Sequence, residues 1–208
     1  MSTLGDMQTR IANELARTDI NAEILKSIQT TIRRYERERF YFNEVRLTLT
    51  TSSGAEYYTS TEFPFIGRIS EIDSVRITVN GSTYTLREKD YSWINEISTT
   101  GTNTGDPTIY AFYGNQFRFY PIPNAARTVV VSHVEKRATS LTSTASENYW
   151  TNEAEELIRA GAKHDLYLHI VRSEERAQLM KHDEMAALYA LGAETARKAK
   201  TDIRPNPF

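Results

Sequence analysis

The sequence contains four histidines and three closely spaced glutamates whose side chains could support catalysis or metal binding. The histidines are His133, His164, His169 and His182, and the glutamates are Glu153, Glu155 and Glu156. Two carboxylates can act as acid and base in glycosidic hydrolysis, and imidazoles are common zinc ligands. On a helix, however, His164 and His169 would lie about 140° apart, which is too far to share one metal ion.

The glutamates have a simpler interpretation than catalysis. Asn152 and Glu155 have the spacing of a capping box, which predicts a helix that begins there. Acidic residues in a first helical turn are favoured by the helix dipole. The chain also lacks HExxH, GxSxG and phosphate-binding glycine motifs. We therefore expect a non-enzymatic protein without a metal or cofactor, with surface or interface histidines. Cell-wall hydrolysis by these glutamates remains the enzymatic alternative.

An aromatic segment suggests a second alternative, which is binding of single-stranded nucleic acid. Residues 110–120 read YAFYGNQFRFY, and Tyr110, Phe117 and Phe119 could stack on bases. Arg118 is the only cation in this segment, and strand alternation places it on the face opposite Phe117 and Phe119. The three rings are therefore expected in a core. The balance of 25 basic and 27 acidic residues also argues against a polyanion binder.

Composition excludes several other classes of protein. The 208 residues include no cysteine, so the chain has no disulfides and no thiolate metal site. No apolar stretch approaches the length of a membrane span, and the N-terminus lacks the apolar core of a signal peptide. We expect a protein that is made and kept in a cytosol-like compartment.

The distribution of helix breakers predicts a helix–sheet–helix order. Six of the nine glycines and four of the six prolines lie between residues 54 and 123. Before that block, apolar residues recur at helical spacing from Leu4 to Leu15, and again after Asn21, a candidate cap. After it, two further helices are expected, one to about Arg172 and one from about Ser173 to Lys200.

The middle block predicts about six strands, antiparallel where hairpins connect them. Asn80-Gly81 favours a type I′ hairpin, and a second turn is expected at Gly114-Asn115. Residues 138–148 are small and polar, which indicates a flexible arm. Beyond the last helix, Pro205 excludes a further helical turn.

These patterns together predict an α+β protein. Terminal helices in residues 1–43 and 151–200 form a four-helix bundle, with an antiparallel β domain inserted at residues 44–150 and an extended C-terminal tail at residues 201–208.

Four motifs in this order resemble the head-to-tail adaptor (connector or neck) proteins of tailed bacteriophages. They are FYFNE after the second helix, GDPTIY, FRFYPIPN, and ENYWTNEAEELIRAGA at the start of the C-terminal helices. The likeness extends from Leu4 to about Arg197.

The resemblance implies a structural protein of the virion neck, assembled in the host bacterial cytoplasm. Such proteins form rings, generally dodecamers, beneath the portal, and their partners are the portal and tail, nozzle or stopper proteins. Packaged DNA passes through the ring without sequence-specific binding. A C-terminal extension reaches the portal in such proteins, which implies a portal-binding role for the tail residues Ile203, Arg204, Pro205, Asn206, Pro207 and Phe208.

Overall fold

The computed structural model describes residues 2–98, 103–136, 141 and 143–201, and it confirms the α+β class. The chain divides into a helical unit, Met1–Asn43 with Lys136–Phe208, and a β unit, Glu44–Glu135. The domain limit at residue 150 stays a prediction. Leu141 and Trp150 are both buried in the core of the helical unit. In the described part of the chain, no helix has the length and apolar character needed to cross a membrane.

In its described residues, the helical unit is built from four long helices and two short segments. Its elements are α1 (Leu4–Leu15), α2 (Asn21–Tyr35), α4 (Tyr149–Asn152), α5 (Glu155–Leu166), a π-helical turn (Tyr167–Val171) and α6 (Glu174–Thr201). Apolar residues at helical spacing on α1, α2 and α5 meet in one core, as their periodicity predicts. Arg172 adopts a left-handed conformation and separates α5 with its π turn from α6.

Two predicted helix caps are wrong. Asn21 is the first helical residue of α2, and Ile20 occupies the cap position without a side-chain hydrogen bond. The capping box lies at Asn148, whose side chain accepts hydrogen bonds from the backbone of Trp150 and Thr151. Asn148 is extended and can turn its side chain towards these donors, whereas Asn152 already belongs to α4.

The β unit contains more strands than the sequence predicts. Its described residues form ten strands, a 3₁₀-helical turn (Ile66–Arg68) and helix α3 (Tyr91–Ser98). The strands are β1 (Glu44–Thr50), β2 (Tyr57–Tyr58), β3 (Ile69–Val79), β4 (Ser82–Thr85), β5 (Arg87–Glu88), β6 (Thr104–Gly105), β7 (Ile109–Tyr113), β8 (Gln116–Tyr120), β9 (Ile122–Pro123) and β10 (Thr128–Glu135).

The strands form three sheets with the orders β1-β10-β3-β4, β2-β8-β7-β5 and β6-β9. Both predicted hairpins are present, since β3 pairs with β4 and β7 pairs with β8 in antiparallel orientation. The turn residues Asn80, Gly81, Gly114 and Asn115 all have positive φ angles, as a type I′ turn requires. The pairs β5–β7 and β6–β9 are parallel, whereas the other pairs are antiparallel. These two-residue parallel pairs join segments that are distant in sequence, so no local hairpin pattern indicates them.

Candidate interaction surfaces

The three candidate catalytic glutamates lie at the junction of α4 and α5. Glu153 accepts a hydrogen bond from the Tyr41 hydroxyl. Glu155 lies 2.6 Å from Arg10 and 3.4 Å from Arg159. Both carboxylates therefore bind other parts of the helical unit, while Glu156 is exposed in the first turn of α5. Over the described residues, no cluster of three or more metal-binding side chains occurs.

The four histidines are dispersed, and one of them contradicts the expected surface or interface position. His169 and His182 are exposed, and the half-buried His164 lies 3.3 Å from the Asp165 carboxylate. His133 is fully buried, and it lies on β10, between β1 and β3.

The aromatic rings of the β7–β8 hairpin form a core, as expected. Phe117 and Phe119 are fully buried and Tyr110 is 3% exposed. The ring centroids of Phe117 and Phe119 lie 6.0 Å apart, and that of Tyr110 lies 6.2 Å from Phe117. These rings cannot stack on bases while the β unit is folded, so the nucleic-acid alternative loses its binding surface.

The opposite face of β8 carries a buried arginine that fixes helix α3. The Arg118 Nε donates to Glu56 at 2.6 Å, and its guanidinium also donates to Asn95 and to Ser98 on α3. The side chain of Arg118 is only 4% exposed. These bonds replace the water that the guanidinium loses on burial, and they attach α3 to the sheet.

Three tyrosines lie around this arginine and form what we call the tyrosine surface. The ring centroids of Tyr57 and Tyr91 lie 5.3 and 5.1 Å from the guanidinium carbon of Arg118. Tyr113 packs on Tyr91, with the two ring centroids 5.4 Å apart. A hydrogen bond with Tyr91, followed by burial, raises the pKa of Tyr57 to about 12. Tyr113 remains 65% exposed. Exposed tyrosines beside an arginine are typical of protein interfaces.

Replacing Arg118 with alanine is expected to lower the free energy of unfolding of the β unit by about 2–3 kcal/mol. The loss stays moderate because Glu56 is 22% exposed and can regain water. Arg127→Ala is the matched control, since its ion pair with Asp106 is more exposed and should contribute about 1 kcal/mol or less. Urea titration of both variants measures the difference, and equal losses would contradict the role assigned to Arg118.

The inner face of α6 carries a fully buried carboxylate, Glu184. It accepts hydrogen bonds from the Tyr35 hydroxyl at 2.6 Å, from Arg34 at 2.8 Å and from Lys181 at 2.8 Å. Burial raises the pKa of Glu184, but Lys181 and Tyr35 outweigh burial and hold the pKa below its ordinary value. Arg34 also binds Asp165 on α5, so one charge network joins α2, α5 and α6.

Gly161 provides the space for this network. A Cβ atom at this position would lie 2.6 Å from Thr31 Cγ2 and 2.9 Å from Glu184 Oε1. Gly161→Ala should therefore destabilise the protein by about 1–2 kcal/mol, because overpacking exceeds the gain in helix propensity. Gly192→Ala on α6 meets open space and should stabilise it by up to about 1 kcal/mol. Thermal unfolding of both variants tests these opposite signs.

Helix α6 carries three exposed apolar side chains; Met185 and Tyr189 share one side, which we call its outer face, and Leu179 lies about 120° around the helix from Met185. Leu179, Met185 and Tyr189 are 59%, 36% and 74% exposed. Large exposed apolar side chains on one helix mark a candidate interaction surface. The predicted portal-binding residues, 203–208, lie outside the described residues.

Comparison with known proteins gives one family match. Residues 2–206 match the family model described as SU10 adaptor protein, so the match includes both units. A search of curated proteins found no match.

Proposed function

The chain belongs to the SU10 adaptor protein family, whose members are structural adaptors of bacteriophages, and from this premise we propose that it is the head-to-tail adaptor of a virion. The chain forms a dodecameric ring beneath the portal at the neck. The ring extends the DNA channel and provides the surface on which tail, nozzle or stopper proteins dock. A structural family is also consistent with the expectation that the chain is not an enzyme.

The observation that carries this proposal is the extent of the family match. It runs from residue 2 to residue 206 and therefore covers the helical unit and the β unit together. An adaptor must bind more than one partner, and each unit has an exposed candidate interaction surface of its own. The outer face of α6 suits neighbouring subunits and the portal, and the tyrosine surface suits a protein on the tail side.

The long helices provide a stable platform for ring assembly. We propose that α1, α2, α5 and α6 are arranged as a four-helix bundle that keeps its shape during docking. Their shared apolar core and the charge network of Glu184 support this role, since both join helices from the two ends of the chain.

The C-terminal residues Ile203–Phe208 supply the proposed anchor on the portal. Prolines at positions 205 and 207 limit the conformations of the free segment, so little entropy is lost on docking. Phe208 can fill an apolar pocket and Arg204 can pair with a carboxylate.

The charge balance suits a conduit for DNA. A net charge of −2 on 208 residues leaves no large excess of cations to retain phosphates. Packaged DNA can therefore pass the ring without being held to it.

Removing residues 202–208 is expected to abolish portal binding while leaving the far-ultraviolet circular dichroism spectrum unchanged. The spectrum should persist because both apolar cores lie within residues 2–201. Portal protein from the same phage is mixed with each chain, and complexes are measured by sedimentation and negative-stain microscopy. Phe208→Ala should weaken binding, and Glu23→Ala on the exposed face of α2 is the control. Unchanged affinity of the truncated chain would assign portal docking to another part of the protein.

A further inference from the structure

Strand β1 lies at the edge of its four-stranded sheet. The sheet order is β1-β10-β3-β4, so among the described residues β1 pairs only with β10. It is seven residues long, whereas β4 at the opposite edge has four residues. A long open edge presents a row of backbone donors and acceptors to which a further strand can bond.

The register identifies the backbone groups that face the open side of β1. The Thr51 N–H donates to the Arg127 carbonyl at 2.9 Å, and the pairing of β1 with β10 contains no register shift. In an antiparallel pair, residues that bond to the partner strand alternate with residues that do not. Arg46, Thr48 and Thr50 therefore direct their N–H and C=O groups to the open side. Among the described residues, these groups form no hydrogen bond with another part of the chain.

The side chains of β1 hold this edge in place and leave it accessible. Leu49 is buried in the core of the β unit and Leu47 packs against it, while Arg46, Thr48 and Thr50 are exposed. Natural edge strands often prevent pairing with proline, lysine or a bulge, and β1 contains none of these. The edge already has the extended conformation that an added strand needs, so little entropy is lost on binding.

The charges of β1 favour a strand other than its own copy. Arg46 is exposed and has no ion-pair partner among the described residues. A second β1, paired antiparallel over its full length, places Thr48 opposite Arg46 and Thr50 opposite Glu44. The other open strand of this sheet, β4, contains no carboxylate either. A strand with a carboxylate opposite Arg46 gains a cross-strand ion pair that neither of these offers.

We propose that the open edge of β1 binds an extended strand of another protein, which carries a carboxylate opposite Arg46 and apolar side chains opposite Val45 and Leu47. The strand adds in antiparallel orientation, which is the more stable pairing per residue. Backbone hydrogen bonds supply the affinity of such a contact, and the alternating side chains supply its specificity. The inference goes beyond the adaptor function and concerns the β unit alone.

Two synthetic peptides of the sequence TVTVEVK, with acetylated and amidated ends, test this edge. In the antiparallel register the glutamate of the peptide lies opposite Arg46 and its lysine lies opposite Glu44. The open peptide has N-methyl groups on its second and fourth residues, whose N–H groups face away from β1. The blocked peptide has them on its third and fifth residues, whose N–H groups face β1. The two peptides therefore have the same side chains and equal methylation.

Amide hydrogen exchange of the natural chain, followed residue by residue with NMR, locates the binding site. We expect the open peptide at about 1 mM to slow exchange at Arg46, Thr48 and Thr50 by at least about tenfold, because these amides gain a backbone partner. Exchange on the shorter open strand β4 should stay unchanged. The blocked peptide should bind at least about tenfold more weakly in fluorescence anisotropy, since two backbone hydrogen bonds are lost.

Reversing the charge of Arg46 tests the specificity of the edge. Arg46→Glu should weaken binding of the open peptide about threefold or more, and exchanging the glutamate and lysine of the peptide should restore binding. Arg87→Glu, at an exposed position on β5 in another sheet, has the same change in net charge and is the control. Its affinity for the open peptide should equal that of the natural chain.

Three results would overturn the proposed site. The first is equal affinity of the open and blocked peptides, and the second is unchanged exchange at Arg46, Thr48 and Thr50 with the open peptide at about 1 mM. The third is slowed exchange at these amides when the natural chain alone is concentrated, which would assign the edge to a second copy. The test contains no portal protein, so its result is independent of the adaptor function.

Discussion

Trp150→Ala is expected to lower the free energy of unfolding of the helical unit by about 3–5 kcal/mol. Trp150 is fully buried, and its ring contacts Phe40 and Phe42 at centroid distances of 5.9 and 5.1 Å with edge-to-face geometry. The change removes a large apolar surface and leaves a cavity where the segment after α2 meets the start of α4. This contact joins the two parts of the chain that form the helical unit.

Trp93→Ala is the matched control for this substitution. Trp93 is 37% exposed on α3 and contacts Lys89 at 5.3 Å. Its loss should lower the free energy of unfolding by about 1 kcal/mol or less. Denaturant titration followed by circular dichroism measures both changes without relying on tryptophan fluorescence. Similar losses for the two variants would contradict the central position of Trp150 in the helical core.

Glu184→Ala is expected to destabilise the helical unit by about 3–4 kcal/mol, because it leaves Arg34 and the Tyr35 hydroxyl without their carboxylate. This loss of stability should lie near the lower end of the range that is typical when one partner of a buried ion pair is removed. Arg34 and Lys181 are 36% and 45% exposed, so both cations can regain water. Glu156→Ala, at an exposed position on α5, is the control and should change the stability by about 0.5 kcal/mol or less.

The same carboxylate predicts a dependence of stability on pH. The pKa of Glu184 is lower in the folded chain than its ordinary value of 4.5, so the folded state favours the ionised form. Its contribution is fully present above the unfolded pKa and is lost as the pH falls through the folded pKa. Glu184→Gln should therefore lose less stability than the natural chain below about pH 4.5. The free energy of unfolding of both chains is measured by urea titration at several pH values. An equal change of this free energy with pH in the two chains would contradict the assignment.

Local patterns in the sequence predict the helices and hairpins of this fold. The spacing of apolar residues from Leu4 to Leu15 indicates α1, and Asn80-Gly81 indicates the β3–β4 hairpin. The pairing of β1 and β3 with β10 is different, because these partners are distant in sequence. Long-range pairing depends on how the whole β unit packs, and short motifs do not encode it.

The interaction surfaces are only partly visible in the sequence. Glu184 is fully buried although a charged residue on a helix is expected at the surface, and only the donors from α2 make this position favourable. Counting leucines alone assigns Leu179 and Leu191 to one apolar side of α6. Their separation of twelve positions places them about 120° apart, so the spacing indicates that Leu179 lies away from the buried side of α6.

Arg118 illustrates a signal that strand alternation supplies. A cation among aromatic residues must lie on the face opposite Phe117 and Phe119, as predicted. The sequence does not indicate that α3 covers that face and supplies Asn95 and Ser98 as hydrogen-bond partners. These hydrogen bonds of Arg118 can therefore be identified only from the folded arrangement of the sheet and α3.

Electron microscopy of the chain mixed with the portal protein of the same phage tests the central claim most directly. The account predicts a ring of this chain on one face of the portal, coaxial with its channel. A chain that stays monomeric and unbound in the presence of excess portal would contradict the assignment as a head-to-tail adaptor.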